Sequence, residues 1–161
     1  MMKHLFFFLF CFTFLTSVKQ TFSQTKIPVD IFANHAYSAN WVPFMEDEKV
    51  IVLYKYSDCS DPLNGIYPEK VLFKVTNKTN SKVYVLWDYY MEYTDGNIIA
   101  PKEGSNENTV QLTLSSNESA EGSCSATVGN KLHAFVRMKD DANNVVLKDL
   151  HFENFKTFIL D

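Results

Sequence analysis

Apolar and polar residues alternate in short runs along this chain from Lys49 onward, and clusters of turn-forming residues break the runs apart. Val50-Ile51-Val52-Leu53-Tyr54 is β-branched and aromatic, is bounded by acids before and by Ser57-Asp58 after, and predicts a strand. Asp61-Pro62-Leu63-Asn64-Gly65 then supplies strong turn chemistry. Val71, Phe73 and Val75 alternate with Leu72, Lys74 and Thr76, and the polar tract Asn77-Lys78-Thr79-Asn80 that follows predicts a hairpin. Val83, Val85, Trp87 and Tyr89 continue on one face of the longest predicted strand, with Tyr84, Leu86, Asp88 and Tyr90 on the other, until Asp95-Gly96-Asn97 turns the chain.

Val110, Leu112 and Leu114 give the clearest period of two, which predicts a strand with one face in a core and one in water. After a loop holding Asn117, Glu121 and Gly122, the turn Gly129-Asn130 precedes a strand over Lys131–Met138, where His133 shares the outer parity of Phe135 and Arg137. Asp140-Asp141-Ala142-Asn143-Asn144 predicts a turn before a short strand at Val145–Leu147. The last stretch, Leu150–Leu160, reads in two ways: Phe152, Phe155 and Phe158 recur every third residue, while Phe152, Phe158 and Leu160 share strand parity. A closing strand is the expectation. Residues 24–48 carry isolated apolar positions among Pro28, Asn34, Asn40 and Pro43, with room for an edge strand, although Pro28 argues against a central one.

Six to eight short strands without sustained helical spacing predict an all-β domain over residues 49–161, built as an antiparallel β-sandwich. The specific expectation is an immunoglobulin-like Greek key. Trp87 lies between Cys59 and Cys124 in the sequence, as the core tryptophan of such a domain would.

The N-terminus changes the picture of where this domain works. Lys3 and His4 precede an apolar run from Leu5 to Leu15, and a more polar stretch ends in Thr21-Phe22-Ser23. That layout predicts a signal peptide over residues 1–23, with Gln24 as the new N-terminus. The run is about half of the roughly 20 apolar residues that a stable membrane anchor needs, so no membrane anchor is expected after cleavage. Cys11 leaves with the signal.

Removing residues 1–23 takes Lys3 and Lys19 but no acid, leaving 13 basic against 19 acidic residues, a balance of −6 over 138 residues. Arg137 is the only arginine. Both facts argue against a nucleic-acid partner, because phosphate recognition relies on positive charge and on the forked guanidinium. Two cysteines survive processing, and in an oxidising compartment Cys59 and Cys124 predict a disulfide.

Candidate chemistry is sparse. Asp58 and Asp61 with Asn64, and Asp140 and Asp141 with Asn143 and Asn144, offer clustered oxygen ligands of the kind Ca²⁺ takes, but without the spacing of an EF-hand. Turn formation is the simpler reading of both loops, and no metal or other cofactor is expected. His35, His133 and His151 are too far apart for a local zinc site, and no Gly-x-Ser-x-Gly turn is present. Asn77-Lys78-Thr79 and Asn117-Glu118-Ser119 match the glycosylation acceptor pattern, both at expected loops. The stretch Trp87-Asp88-Tyr89-Tyr90-Met91-Glu92-Tyr93 is the most suggestive feature: Tyr84, Tyr90 and Tyr93 could present an aromatic platform to sugar rings or a protein. The competing reading makes Tyr84 and Tyr90 ordinary cross-strand pairs.

The sequence Thr21-Phe22-Ser23-Gln24, the run Phe73-Lys74-Val75-Thr76-Asn77-Lys78-Thr79-Asn80 and the segment Glu121-Gly122-Ser123-Cys124 resemble small secreted proteins of Bacteroidota, especially flavobacteria. The lysine, asparagine and phenylalanine bias agrees with an AT-rich genome of that kind. The resemblance implies a periplasmic or extracellular place and brings no catalytic residues with it. The expected function is a secreted or periplasmic, non-enzymatic binding or structural module with a protein or glycan partner. The alternatives are a small hydrolase with a site built from scattered residues, and a β-sandwich subunit of a cell-surface assembly.

Overall fold

A computed structural model describes residues 23–125 and 131–161. The predicted signal sequence up to Phe22, with Cys11, and the turn Gly129-Asn130 lie outside the described residues. The chain forms β1 (Ser23–Gln24), α1 (Asp30–Ala33), β2 (Val42–Glu46), β3 (Val50–Asp58), β4 (Pro68–Asn77), β5 (Lys82–Tyr93), β6 (Ile98–Ile99), β7 (Thr109–Leu114), β8 (Ser119–Glu121), β9 (His133–Met138) and β10 (Leu147–Leu160). Among the described residues, seven of these strands have five residues or more. The protein is all-β.

All strand pairs are antiparallel. One sheet runs β1-β2-β3-β4-β8, with β9 also pairing β4; the other runs β10-β5-β6, with β7 also pairing β5. Their inward faces meet in one core. Val50, Val52, Tyr54 and Tyr56 of β3 alternate inward, as do Val83, Val85, Trp87, Tyr89 and Met91 of β5. Rings close the gap between the sheets: Phe152 of β10 lies 4.8 Å from Phe44 and 5.0 Å from Phe73, and stacks on Trp87 at 4.7 Å. Each large apolar side chain buried this way contributes roughly 1.5–3 kcal/mol.

Several expectations are corrected. Asn77–Asn80 is a passage between sheets and not a hairpin, because β4 pairs β3 while β5 pairs β10 and β7. Asn77 is buried at that passage, and its Nδ2 donates to the carbonyls of Ser81 and Ser115 at 2.7 and 2.8 Å, so the acceptor asparagine is enclosed and not in an open loop. Val145–Leu147 is not a separate strand; Leu147 opens the 14-residue β10. The N-terminal segment holds its short strand at β2, and Pro43 is accommodated there because β1 pairs only Met45 and Glu46.

Two β-bulges re-aim side chains. In β9, Glu69 pairs Arg137 and Lys70 pairs Phe135, so Val136 is an extra residue. The bulge breaks the expected shared parity of His133, Phe135 and Arg137, and Arg137 is buried. In β10, Glu153 pairs Asp88 and Lys156 pairs Leu86, so Asn154 and Phe155 together face Trp87. Phe152 therefore points into the core while Phe158 pairs Tyr84 on the outer face, which corrects their predicted common parity.

Phe73 is where β4 changes partner. Its carbonyl accepts from the N–H of Gly122 at 2.7 Å, and its N–H donates to the carbonyl of Leu132 at 2.9 Å. The two partner segments converge so closely that a Cβ on Gly122 would lie 1.9 Å from the Leu132 oxygen. Cys59 and Cys124 are joined in a disulfide, with Cα atoms 5.0 Å apart. Cys59 is buried and Cys124 exposed, so the bridge ties the end of β3 to the segment after β8 at the margin of the sheet. No helix among the described residues is long and apolar enough to cross a membrane.

Candidate functional site

The outer face of the β5–β10 sheet carries the residues singled out as a platform, with one exchange. Tyr84 and Tyr90 are half-buried on that face; Tyr93 is buried, with the inward parity of Tyr89 and Met91, and its Oη donates to the Phe135 carbonyl at 2.9 Å. Tyr93 is therefore a core residue at the sandwich end and not part of a platform. Its parity already implied this, since odd positions of β5 point inward.

Phe158 and His151 of β10 supply what Tyr93 does not. His151 pairs Tyr90 directly, with ring centroids 4.4 Å apart in a stack, and Phe158 pairs Tyr84 at 6.3 Å. The two pairs lie six positions apart on β5, or about 20 Å along the strand. Asp88 lies between them on the same face and is fixed from both sides: Thr109 of β7 donates to Oδ1 at 2.6 Å, and Asn154 of the β10 bulge donates to Oδ2 at 2.8 Å. Glu153 pairs Asp88 across the strands, and Asp149 and Glu153 flank His151, at 3.2 Å from Nδ1 and 3.6 Å from Nε2. The face thus offers two aromatic pairs with Asp88, Glu153 and Lys156 between them. Phe158 is 48% exposed, a large apolar ring presented to solvent.

The other polar concentration is internal. Glu69 of β4 is fully buried at one end of the sandwich. Its Oε2 accepts from Arg137 Nε at 2.7 Å and from the Tyr56 hydroxyl, and its Oε1 accepts from Tyr37 Oη and His35 Nδ1, each at 2.6 Å. Arg137 Nη2 also donates to the Phe32 carbonyl of α1 at 2.7 Å. Burial alone would raise the Glu69 pKa, but the donors from Tyr37, Tyr56, Arg137 and His35 outweigh it and hold the carboxyl down at about 2. Burial, and then the same carboxylate, push the Tyr56 hydroxyl well above its ordinary range. His35 sits at φ 49°, a left-handed conformation that is uncommon outside glycine, held where its ring meets Glu69 and Arg137.

The loops weighed for calcium use their oxygens otherwise. Asp58 Oδ1 accepts from the Ser60 N–H at 3.0 Å and its Oδ2 pairs with Lys139, which holds its pKa at about 2. Asp61 accepts from Asn64 Nδ2 at 2.6 Å, and Asp141 accepts from the N–H groups of Asn143 and Val145 at 2.9 and 3.4 Å. Asp140 is exposed. Among the described residues, no group of three or more His, Cys, Asp or Glu side chains is placed to hold a metal ion.

Sequence reasoning missed Glu69, because the strand was read as starting at Val71, and it placed Arg137 on an outer face. The signal available was that Arg137 is the sole arginine: a guanidinium retained once in a lysine-rich chain suits a bidentate, desolvated position that lysine fills poorly. Comparison with protein-family models, with curated proteins and with solved structures found no match to this chain.

Proposed function

We propose that this protein is a non-enzymatic binding module working outside the cytoplasm, which holds a glycan or protein partner on the outer face of the β5–β10 sheet. The observation that carries the reading is the pairing of Tyr84 with Phe158 and of Tyr90 with His151 on either side of Asp88. Aromatic faces give large contact area at low entropic cost, and an oriented carboxylate between them accepts from hydroxyl or amine groups of whatever lies across the face. The disulfide and the predicted export signal support the location. An immunoglobulin-like arrangement remains the finer reading of the fold, supported by the buried Trp87 and by the chain's repeated passage between the two sheets, although the disulfide at the sheet margin departs from that pattern.

A hydrolase reading draws less support. A general acid or base is most effective with a pKa near the working pH, and the most enclosed carboxylate, Glu69, is held near 2 by four donors. A role as an assembly subunit finds support in β10, a sheet-edge strand whose last turn of sequence exposes Phe158, Ile159 and Leu160.

The test is the double substitution Tyr84→Ser and Tyr90→Ser, assayed by capture from envelope and secretome and then on a glycan array. The expected result is at least a tenfold loss of captured partner or glycan signal, with a melting curve close to that of the parent. Equal capture, or lost stability without a change in binding, would make these tyrosines scaffolding.

A further inference from the structure

A cleft of about 490 Å³ opens beside the buried ion pair. Val29 and Ala33 of the α1 segment form one apolar wall, Val146 and Leu147 another, Lys148 stands at its edge and Arg137 lines it. Arg137 is only 5% exposed. A guanidinium carries five N–H donors in a fixed fork. Here Nε donates to Glu69, and Nη2 donates to the Phe32 carbonyl and lies against the His35 ring, at 2.7 Å from Nδ1. Nη1, at the other end of the fork, makes no hydrogen bond to the described residues and is not one of their buried unpartnered polar atoms, so it is open to solvent. A guanidinium donor that solvent reaches at the cleft can exchange its water for a carboxylate oxygen in a charge-assisted hydrogen bond.

We propose that this cleft is a ligand site for a small organic carboxylate with a short apolar tail. The carboxylate takes the Nη1 donors, the tail lies between the Val29–Ala33 and Val146–Leu147 walls, and Lys148 adds its positive charge after turning from Glu92, with which it is ion-paired. Glu69 matches the charge of Arg137 at the Nε corner and its oxygens are filled by Tyr37, Tyr56 and His35, so Arg137 offers the ligand its Nη1 hydrogen-bond donors while Lys148 supplies the positive charge. The site is separate from the outer face of the β5–β10 sheet and stands whether or not that face binds a partner.

Hexanoate is the probe, titrated into isotope-labelled protein by NMR, with hexanol as the uncharged chain of equal length and acetate as the charge without the tail. Hexanoate is expected to shift the amides of Ala33, Thr94, Val146 and Lys148 with Kd of about 1 mM or tighter, and both controls to bind roughly tenfold more weakly. Val146→Trp, which fills the cleft and leaves Arg137 in place, is expected to abolish the shifts. The paired substitution Glu69→Met with Arg137→Met keeps the apolar walls and is expected to erase the preference for hexanoate over hexanol. Absent shifts at these amides, equal binding of hexanol, or a preference that survives the paired substitution would overturn the proposal.

Discussion

Glu69 is the residue on which the end of the sandwich turns. Its carboxyl sits at about 2 in the folded protein against an ordinary 4.5, so its ionised form contributes stability above pH 4.5 that is lost as pH falls toward 2. Asp58, also lowered to about 2 by Lys139 and Ser60, acts in the same direction with less weight because it is largely exposed. Thermal melts across pH 2–7 are therefore expected to fall steeply on the acid side, and Glu69→Gln is expected to flatten that limb. The same substitution strands the buried guanidinium, so a loss of about 3–5 kcal/mol at neutral pH is expected by chemical denaturation. An unchanged acid limb in Glu69→Gln would show that other groups set the acid sensitivity. At this scale the sequence was hard to read. A lone arginine and a glutamate 68 positions away carry no mark of contact, and the contact exists only because a bulge turns one of them inward.

Strands were legible because period-two patterning acts locally: every run read from Val50 to Leu114 lies in a strand, and β7 buries Val110 and Leu114 on its predicted core face. Bulges were not legible, since an extra residue is defined by its partner strand and not by its own sequence. That is why Phe158 was assigned the parity of Phe152, and why the pair it makes with Tyr84 emerged only from the register. The short α1 escaped for a related reason: four residues with no side-chain cap carry too little periodicity, and tertiary contacts from Phe32 hold them. The disulfide, read from cysteine counting, links two segments 65 residues apart. Replacing Cys59 and Cys124 by serine is expected to cost about 2–4 kcal/mol in denaturant unfolding. A cost near zero would mean that the β3–β4 and β4–β8 pairings already restrain the unfolded chain.

For the whole molecule, two antiparallel sheets over a single aromatic-rich core leave one broad outer face with an organised arrangement of rings and acids. A flat strand face suits partner binding, while the cleft at the end of the sandwich suits a small ligand, so the two features divide by the shape of what each can hold. The face was half legible: Tyr84 and Tyr90 followed from alternation, while His151 and Phe158 needed the β10 register. The most direct measurement is hydroxyl-radical footprinting of the protein in native envelope extract against the purified protein alone. Protection confined to Tyr84, Tyr90, His151 and Phe158 is the predicted result; protection elsewhere, or none at these four side chains, would contradict the assignment of this face as the binding surface.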